Sequence, residues 1–258
     1  MAQPINRYKA DLRDFRFLLF EHFKIQDILG KPPFQEWGEE ECSMILDEVY
    51  RFACEVTGPL NPVGDAVGCR LENGEVKVPA EFHKAWQQLW EAGWASIGAP
   101  VEMGGQGAPS SLQAIVSEML SGSNTAFNMY PGLTLGAAEV IQHFGTERQK
   151  KLYVPKMMDG TFGGTMCLTE PHAGSDVGAA TTTAYRREDG KYLIKGTKIF
   201  ISGGDHDMVE NIIHLVLARI EGAEPGTKGL SLFIVPKRRV DEDGNPGEEN
   251  DVAIPSIE

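Results

Sequence analysis

The run Thr165-Met-Cys-Leu-Thr-Glu-Pro-His-Ala-Gly-Ser-Asp-Val-Gly178 gathers the residue types that a polar ligand would need. It opens on small and apolar residues, turns through Pro171 and Gly174, and then sets Ser175 and Asp176 on irregular backbone. A strand running into such a turn leaves backbone N–H groups and short hydroxyls at its end. Donors held in place before a ligand arrives suit an anionic or polar cofactor. An ordinary surface loop has the same composition, and on composition alone that reading stays open. Lys198-Ile-Phe-Ile-Ser-Gly-Gly204 forms a second candidate strand end, for which Phe200 and Ile201 could equally be plain core.

Other chemistry is thinner. Cys42, Cys54, Cys69 and Cys167 form no CxxC pair and have no histidines at zinc spacing, so no metal site is expected. Free thiols fit a reducing compartment. Cys167 reads as a small buried strand residue rather than a nucleophile. Gly104-Gly-Gln-Gly107 lacks both the Walker lysine and the full GxGxxG, and no βαβ unit surrounds it. It reads as a turn before a helix.

A chain of 258 residues holds one large or two modest domains. With 41% hydrophobic and 24% charged residues it is a globular composition. No apolar run approaches the ~20 residues that span a bilayer. Arg7, Lys9, Arg13 and Arg16 are interrupted by acidic residues and precede no apolar signal core, so no secretory or transit peptide is expected and a cytoplasmic location is. A net charge of −13 argues against general nucleic-acid binding.

The elements that must position the two candidate segments differ between the halves of the chain. Ile45, Val49, Phe52, Ala53 and Val56 form an apolar stripe at helical spacing. The stretch from Gly58 to Gly74 reads as turns. Phe82, Ala85, Trp86, Leu89 and Trp90 form a second stripe, with the tryptophans as core, closed by Gly93. Ser110 and Ser111 are expected to cap a third helix. Leu135 to Phe144 reads as a helix stopped by Gly145, followed by a capping box in Thr146-Glu-Arg-Gln149. Pro155 should kink or shorten the helix that follows.

Past Gly160 the pattern turns to strands: Thr181–Arg187 and Lys191–Gly196 joined through Glu188-Asp189-Gly190, then Lys198–Ser202, Asn211–Arg219 and Gly229–Val235. Much of the acidic tail from Asp241 to Glu258 reads as loop. Helices followed by strands indicate an α+β fold with segregated domains. The expected domains are a helical extension over 1–37, an all-α domain over 38–160 and a small β-barrel over 161–258.

Leu168-Thr-Glu-Pro-His-Ala-Gly-Ser-Asp176 resembles the flavin and substrate signature of the acyl-CoA dehydrogenase family, and Lys198 to Gly204 resembles its second flavin segment. The resemblance runs from about Phe34 to the C-terminus. Tyr8 to Phe17 resembles the N-terminal extension of one long subgroup, which includes enzymes like 3-methylmercaptopropionyl-CoA dehydrogenase. The resemblance implies the family's N-terminal and middle domains, with an incomplete middle domain and without the C-terminal helical bundle. It implies FAD, held by Met166, Leu168 and Thr169 and by Phe200, Ile201 and Ser202. It implies acyl-CoA contacts at Ser175, and at Tyr130, Pro131, Leu133 and Thr134 at the base of the acyl cavity. Homo-oligomerisation and an electron-transfer flavoprotein as acceptor are implied for the full-length form. Three positions depart from the family pattern: Phe200 stands for a frequent Trp, Ser202 for Thr, and His172 for Gly.

The implied reaction is α,β-dehydrogenation of an acyl-CoA thioester to a 2-enoyl-CoA, in which a glutamate removes the α-proton. No residue here matches that glutamate, so no catalytic residue is assigned; Glu170 belongs to the flavin turn and Glu102 precedes the Gly-Gly turn. A non-catalytic subunit of the same fold, or an acyl-CoA oxidase, are the alternatives.

Overall fold

The computed structural model describes residues 7–257; the first six residues of the expected extension, and Glu258, lie outside it. The chain starts with a short helix α1 (Leu12–Arg16) that continues as a π-helical turn, Phe17–His22. A long helical run follows: α2 (Glu39–Phe52), a π turn (Ala53–Thr57) and α3 (Gly58–Val67). Three glutamates in the first turn of α2 complement the helix dipole.

The turns expected over Gly58 to Gly74 are therefore half wrong. Pro59 sits in the first turn of α3, directly after the π turn. Gly64 makes room for a ring: a Cβ there would lie 2.8 Å from Phe82 Cζ. Packing of Phe82 thus outweighs local propensity. The remainder is a hairpin, β1 (Arg70–Glu72) and β2 (Glu75–Lys77). Asn73 and Gly74 turn it with φ of 52° and 84°, the pair of left-handed residues that a tight two-residue hairpin demands.

Helix α4 (Ala80–Glu91) buries Phe82, Ala85, Trp86, Leu89 and Trp90, as its stripe implied. Gly104 and Gly107 have positive φ and form a turn leading to α5 (Ser110–Ser123). Neither serine caps α5; Pro109 holds the cap position and no side chain bonds there. Helix α6 (Thr125–Phe144) begins ten residues ahead of the expected Leu135, capped by the Asn124 side chain accepting from Phe127 N–H, and it carries Pro131 inside. Helix α7 (Glu147–Met158) opens with the expected Thr146–Gln149 capping box and runs on through Pro155. One core cluster joins α2, α4, α5 and the start of α6, with Leu46, Leu89, Leu112 and Phe127 deep inside.

The β-domain is a curled mixed sheet. Its first strand is β3 (Phe162–Cys167); then come β4 (Thr183–Arg186), β5 (Tyr192–Lys195), β6 (Asn211–Ile220) and β7 (Leu230–Pro236). The long strand β6 is the axis. It pairs in parallel with β3 along its first half and with β4 at its end, and antiparallel with β7. Strands β4 and β5 form the expected hairpin. Five strands make up the sheet and no ring closes among the described residues, so the expected barrel is seen as this curled sheet. Among the described residues no α-helix alternates between the strands of this sheet. The tail is not all loop: β8 (Arg238–Val240) and β9 (Pro246–Glu249) pair antiparallel around a turn in which Asp241 accepts from Asp243 and Asn245.

A second core cluster crosses from helices to sheet, joining Ala137, Ile141, Val154 and Met157 to Phe162, Ile213 and Leu215. Residues 162, 164 and 166 of β3 face the helices, while 163, 165 and 167 face away. Among the described residues no helix is long and apolar enough to cross a membrane.

Candidate functional site

Strand β3 ends at Cys167, and the chain then turns back on itself: Glu170 and Ala173 exchange both backbone hydrogen bonds, at 3.0 and 3.1 Å, around Pro171 and His172. This is the irregular strand end expected from the sequence. Cys167 is buried, as expected, and burial pushes its thiol up, away from nucleophilic character.

The second segment is not a strand. Residues 198–202 are irregular, and Phe200 has φ of 55°, a left-handed conformation that costs a bulky residue on the order of 1–3 kcal/mol. Its bonds go to the first segment instead of to a ladder. Ile199 N–H donates to Thr169 O at 2.9 Å, and Lys198 Nζ donates to Leu168 O at 2.8 Å and to Glu170 Oε1 at 2.9 Å. The two sequence-predicted flavin segments therefore lie side by side. Phe200 is not core: it is 69% exposed, and Leu168 39%. Met166, Thr169 and Ile201 are half-buried and Ser202 is exposed. The hydroxyls of Thr169 and Ser202 make no hydrogen bond among the described residues.

Glu170 was read only as part of the turn, and the structure makes it the centre of the seam. It is 3% exposed. Its carboxylate accepts from Thr181 N–H at 2.8 Å, Thr181 Oγ1 at 3.0 Å, Thr182 N–H at 3.1 Å and Lys198 Nζ. Burial acts to raise its pKa, but Lys198 and the threonine donors outweigh that and hold it at about 2. The exposed imidazole of His172 lies 3.7 Å from the same carboxylate.

Behind the second segment, Gly203 packs on the α6 residues expected to line an acyl cavity. A Cβ on Gly203 would lie 3.2 Å from Tyr130 Cδ1 and 3.7 Å from Leu133 Cδ1. Burial pushes the Tyr130 phenol well up, so it is a neutral donor; its oxygen lies 3.7 Å from Cys69 Sγ. The four α6 residues do not share one role in space. Thr134 is wholly buried, donating to Tyr130 O and accepting from Gly164 N–H, so it stitches α6 to β3. Pro131 is also buried. Ser175 is exposed on the turn beyond Ala173. Since Gly203 has φ of 60°, Gly203→Ala combines left-handed strain with a push on Tyr130. The expected cost is roughly 1–2 kcal/mol, read as a lower thermal midpoint; an unchanged midpoint would show that Tyr130 yields freely.

The residues that follow tie this segment to the helical domain, and nothing local in the sequence pointed to them. Asp205 accepts from Val76 N–H at 3.0 Å and from Lys237 Nζ at 2.6 Å; Asp207 accepts from Val78 N–H at 3.1 Å. His206 lies between them, its ring 4.8 Å from that of Tyr130 and 5.8 Å from that of Trp86. No metal-binding group of His, Cys, Asp and Glu occurs among the described residues.

Exposed apolar side chains, Leu168 and Phe200, and the two hydroxyls of Thr169 and Ser202 thus occur on two segments held together by hydrogen bonds. The comparisons with known proteins concern the chain as a whole. The family models described as "Acyl-CoA dehydrogenase, N-terminal domain" and "Acyl-CoA dehydrogenase, middle domain" match residues 39–161 and 165–246. The 3-methylmercaptopropionyl-CoA dehydrogenase of Ruegeria pomeroyi is 39% identical over 251 residues, covering 97% of this chain and 43% of the relative. The broad-specificity linear acyl-CoA dehydrogenase FadE5 of Mycobacterium tuberculosis is 42% identical over 263 residues, covering 98% of this chain and 42% of the relative. A solved acyl-CoA dehydrogenase complexed with FAD from Bacillus anthracis superposes with a TM-score of 0.62 at 27% identity, covering 78% of this chain and 31% of that one. The chain belongs to the acyl-CoA dehydrogenase family, and it spans less than half the length of these curated relatives.

Proposed function

We propose that this chain forms the helical and middle domains of an FAD-dependent acyl-CoA dehydrogenase, over about 38–160 and 161–258, behind a helical extension over 1–37. The observation that carries the reading is the seam of three hydrogen bonds that sets the two flavin segments side by side. Bound FAD supplies the hydride acceptor. Leu168, Met166, Phe200 and Ile201 offer apolar surface to its ring system, and Thr169 and Ser202 offer hydroxyls to its polar edge. Ser175 contacts the CoA part of the thioester. Tyr130, Leu133, Pro131 and Thr134 shape or support the floor beneath the acyl chain.

Glu170 does not remove the α-proton. A carboxylate held at about 2 and engaged by four donors is too weak a base and too well enclosed. The full-length enzyme works as a cytoplasmic homo-oligomer with an electron-transfer flavoprotein as acceptor.

Titration of the purified chain with FAD, followed by visible circular dichroism, tests the reading. Saturable but weak binding is expected, further weakened by Ser202→Ala, together with no anaerobic bleaching by a panel of acyl-CoA thioesters. Absence of saturable binding would remove the flavin reading. Rapid bleaching would place the base within this chain.

A further inference from the structure

We propose that Lys198 and Glu170 are positioning residues that hold the two flavin segments in register, an inference that rests on the flavin reading above. Lys198 Nζ touches Leu168 O and Glu170 Oε1, the neighbours on both sides of Thr169, while Ile199 N–H takes the Thr169 carbonyl itself. Thr169 is thereby gripped from three points. The residue after this grip is Phe200, held left-handed. Among the described residues no ladder partner holds that conformation, and the anchored pair Lys198 and Ile199 lies immediately before it.

The pair is poorly explained as a source of stability alone. The Lys198 and Glu170 side chains are only 9% and 2% exposed. Burying two charges consumes most of what their attraction returns, and uncharged replacements of such pairs are often equally stable. What an uncharged pair does not reproduce is the two-sided reach of an ammonium with three donors, two of them used on opposite sides of Thr169. The pair acts through Thr169, Phe200 and Ser202 and does not itself meet the reacting atoms.

The test compares the full chain with Lys198→Met, Glu170→Gln and the double variant, measuring thermal midpoint, hydrogen exchange at the Ile199 amide and FAD affinity. Each single substitution leaves a buried charge without its counter-charge and should lower the midpoint by about 10 °C. The double variant should regain at least half of that loss. Its Ile199 amide should nevertheless exchange about ten times faster than in the unaltered chain, and its FAD dissociation constant should rise about tenfold, the fold-change that one lost charge-assisted bond produces. Ile199 protection that returns together with the midpoint overturns the proposal whether or not flavin is present. FAD affinity that returns with the midpoint overturns it equally. An unaltered chain that binds no FAD removes the flavin reading and the positioning role with it.

Discussion

Acidification from pH 6.5 to 4 is expected to unfold this protein before most of its carboxylates titrate. His206 and His214 are 5% and 4% exposed, and burial lowers both to about 4. For His206 the neighbouring Asp205 and Asp207 oppose that shift without overcoming it. The Nδ1 atom of His206 and the Nε2 atom of His214 have no hydrogen-bond partner, so no acceptor awaits an added proton. In the unfolded chain both titrate near 6.5, and between about 6.5 and 4 the unfolded state binds more protons. Stability is therefore full above about 6.5 and falls as the pH drops towards 4. Each histidine accounts for about 3 kcal/mol, and two together rival the ~5–15 kcal/mol that hold a domain folded. Glu170 works the same way lower down, its contribution being lost from about 4.5 to about 2. Far-ultraviolet circular dichroism against pH should show a midpoint between 4 and 6. His206→Phe, which keeps the ring packing against Trp86 and Tyr130, should move that midpoint downward. A native spectrum at pH 3.5, or a midpoint that ignores the substitution, would refute the account.

Much of the frame is legible in the chain because its signals are local. The Thr146–Gln149 box needs four residues, the stripe of α4 needs three turns, and Glu188-Asp189-Gly190 marks its hairpin by itself. What stays hidden depends on partners far away in sequence. In α3, Gly58, Pro59, Pro62 and Gly64 each argue locally against a helix; only Phe82, brought against Gly64 by folding, explains why one forms. The Asp205 bond to Val76 and the Asp207 bond to Val78 each span 129 residues, beyond any periodicity.

The candidate site divides in the same way. Its strings were legible by resemblance, and the structure sets residues 198 and 199 against residues 168–170. Their conformation was not legible. Lys198 to Ser202 has the composition of a strand, yet its donors are spent on residues 168–170 and its aromatic residue turns out to solvent. Glu170 and Lys198 showed no spacing that would mark them as a pair, since 28 residues and a hairpin separate them.

Gly164 lets β3 reach α6 and α7 while its neighbour Gly163 faces the other way, so substitutions at the two should differ sharply. A Cβ on Gly164 would stand 2.7 Å from Met157 Cε, 2.8 Å from Ala137 Cβ and 3.1 Å from the Thr134 backbone. Two of these atoms belong to α6, and Gly164 N–H is also the donor to Thr134 Oγ1. Gly164→Val therefore pushes α6 off β3 and leaves the buried amide of residue 164 without its acceptor. Overpacking costs roughly 1–3 kcal/mol and the lost bond a similar amount, so about 4 kcal/mol in all is expected. At 258 residues that is a fall of about 10 °C in thermal midpoint. On the opposite face, a Cβ on Gly163 meets only the edge of the His206 ring, at 3.1 Å, and Ile212 Cγ1 at 3.5 Å. Gly163→Val should cost about half as much. The displacement also reaches the site, because α6 carries Tyr130 and Leu133 beneath Gly203, so FAD affinity should fall in the Gly164 variant out of proportion to the Gly163 variant. Equal losses at the two positions would mean that α6 adjusts without strain, and the coupling of helix, strand and site argued from this contact would be wrong.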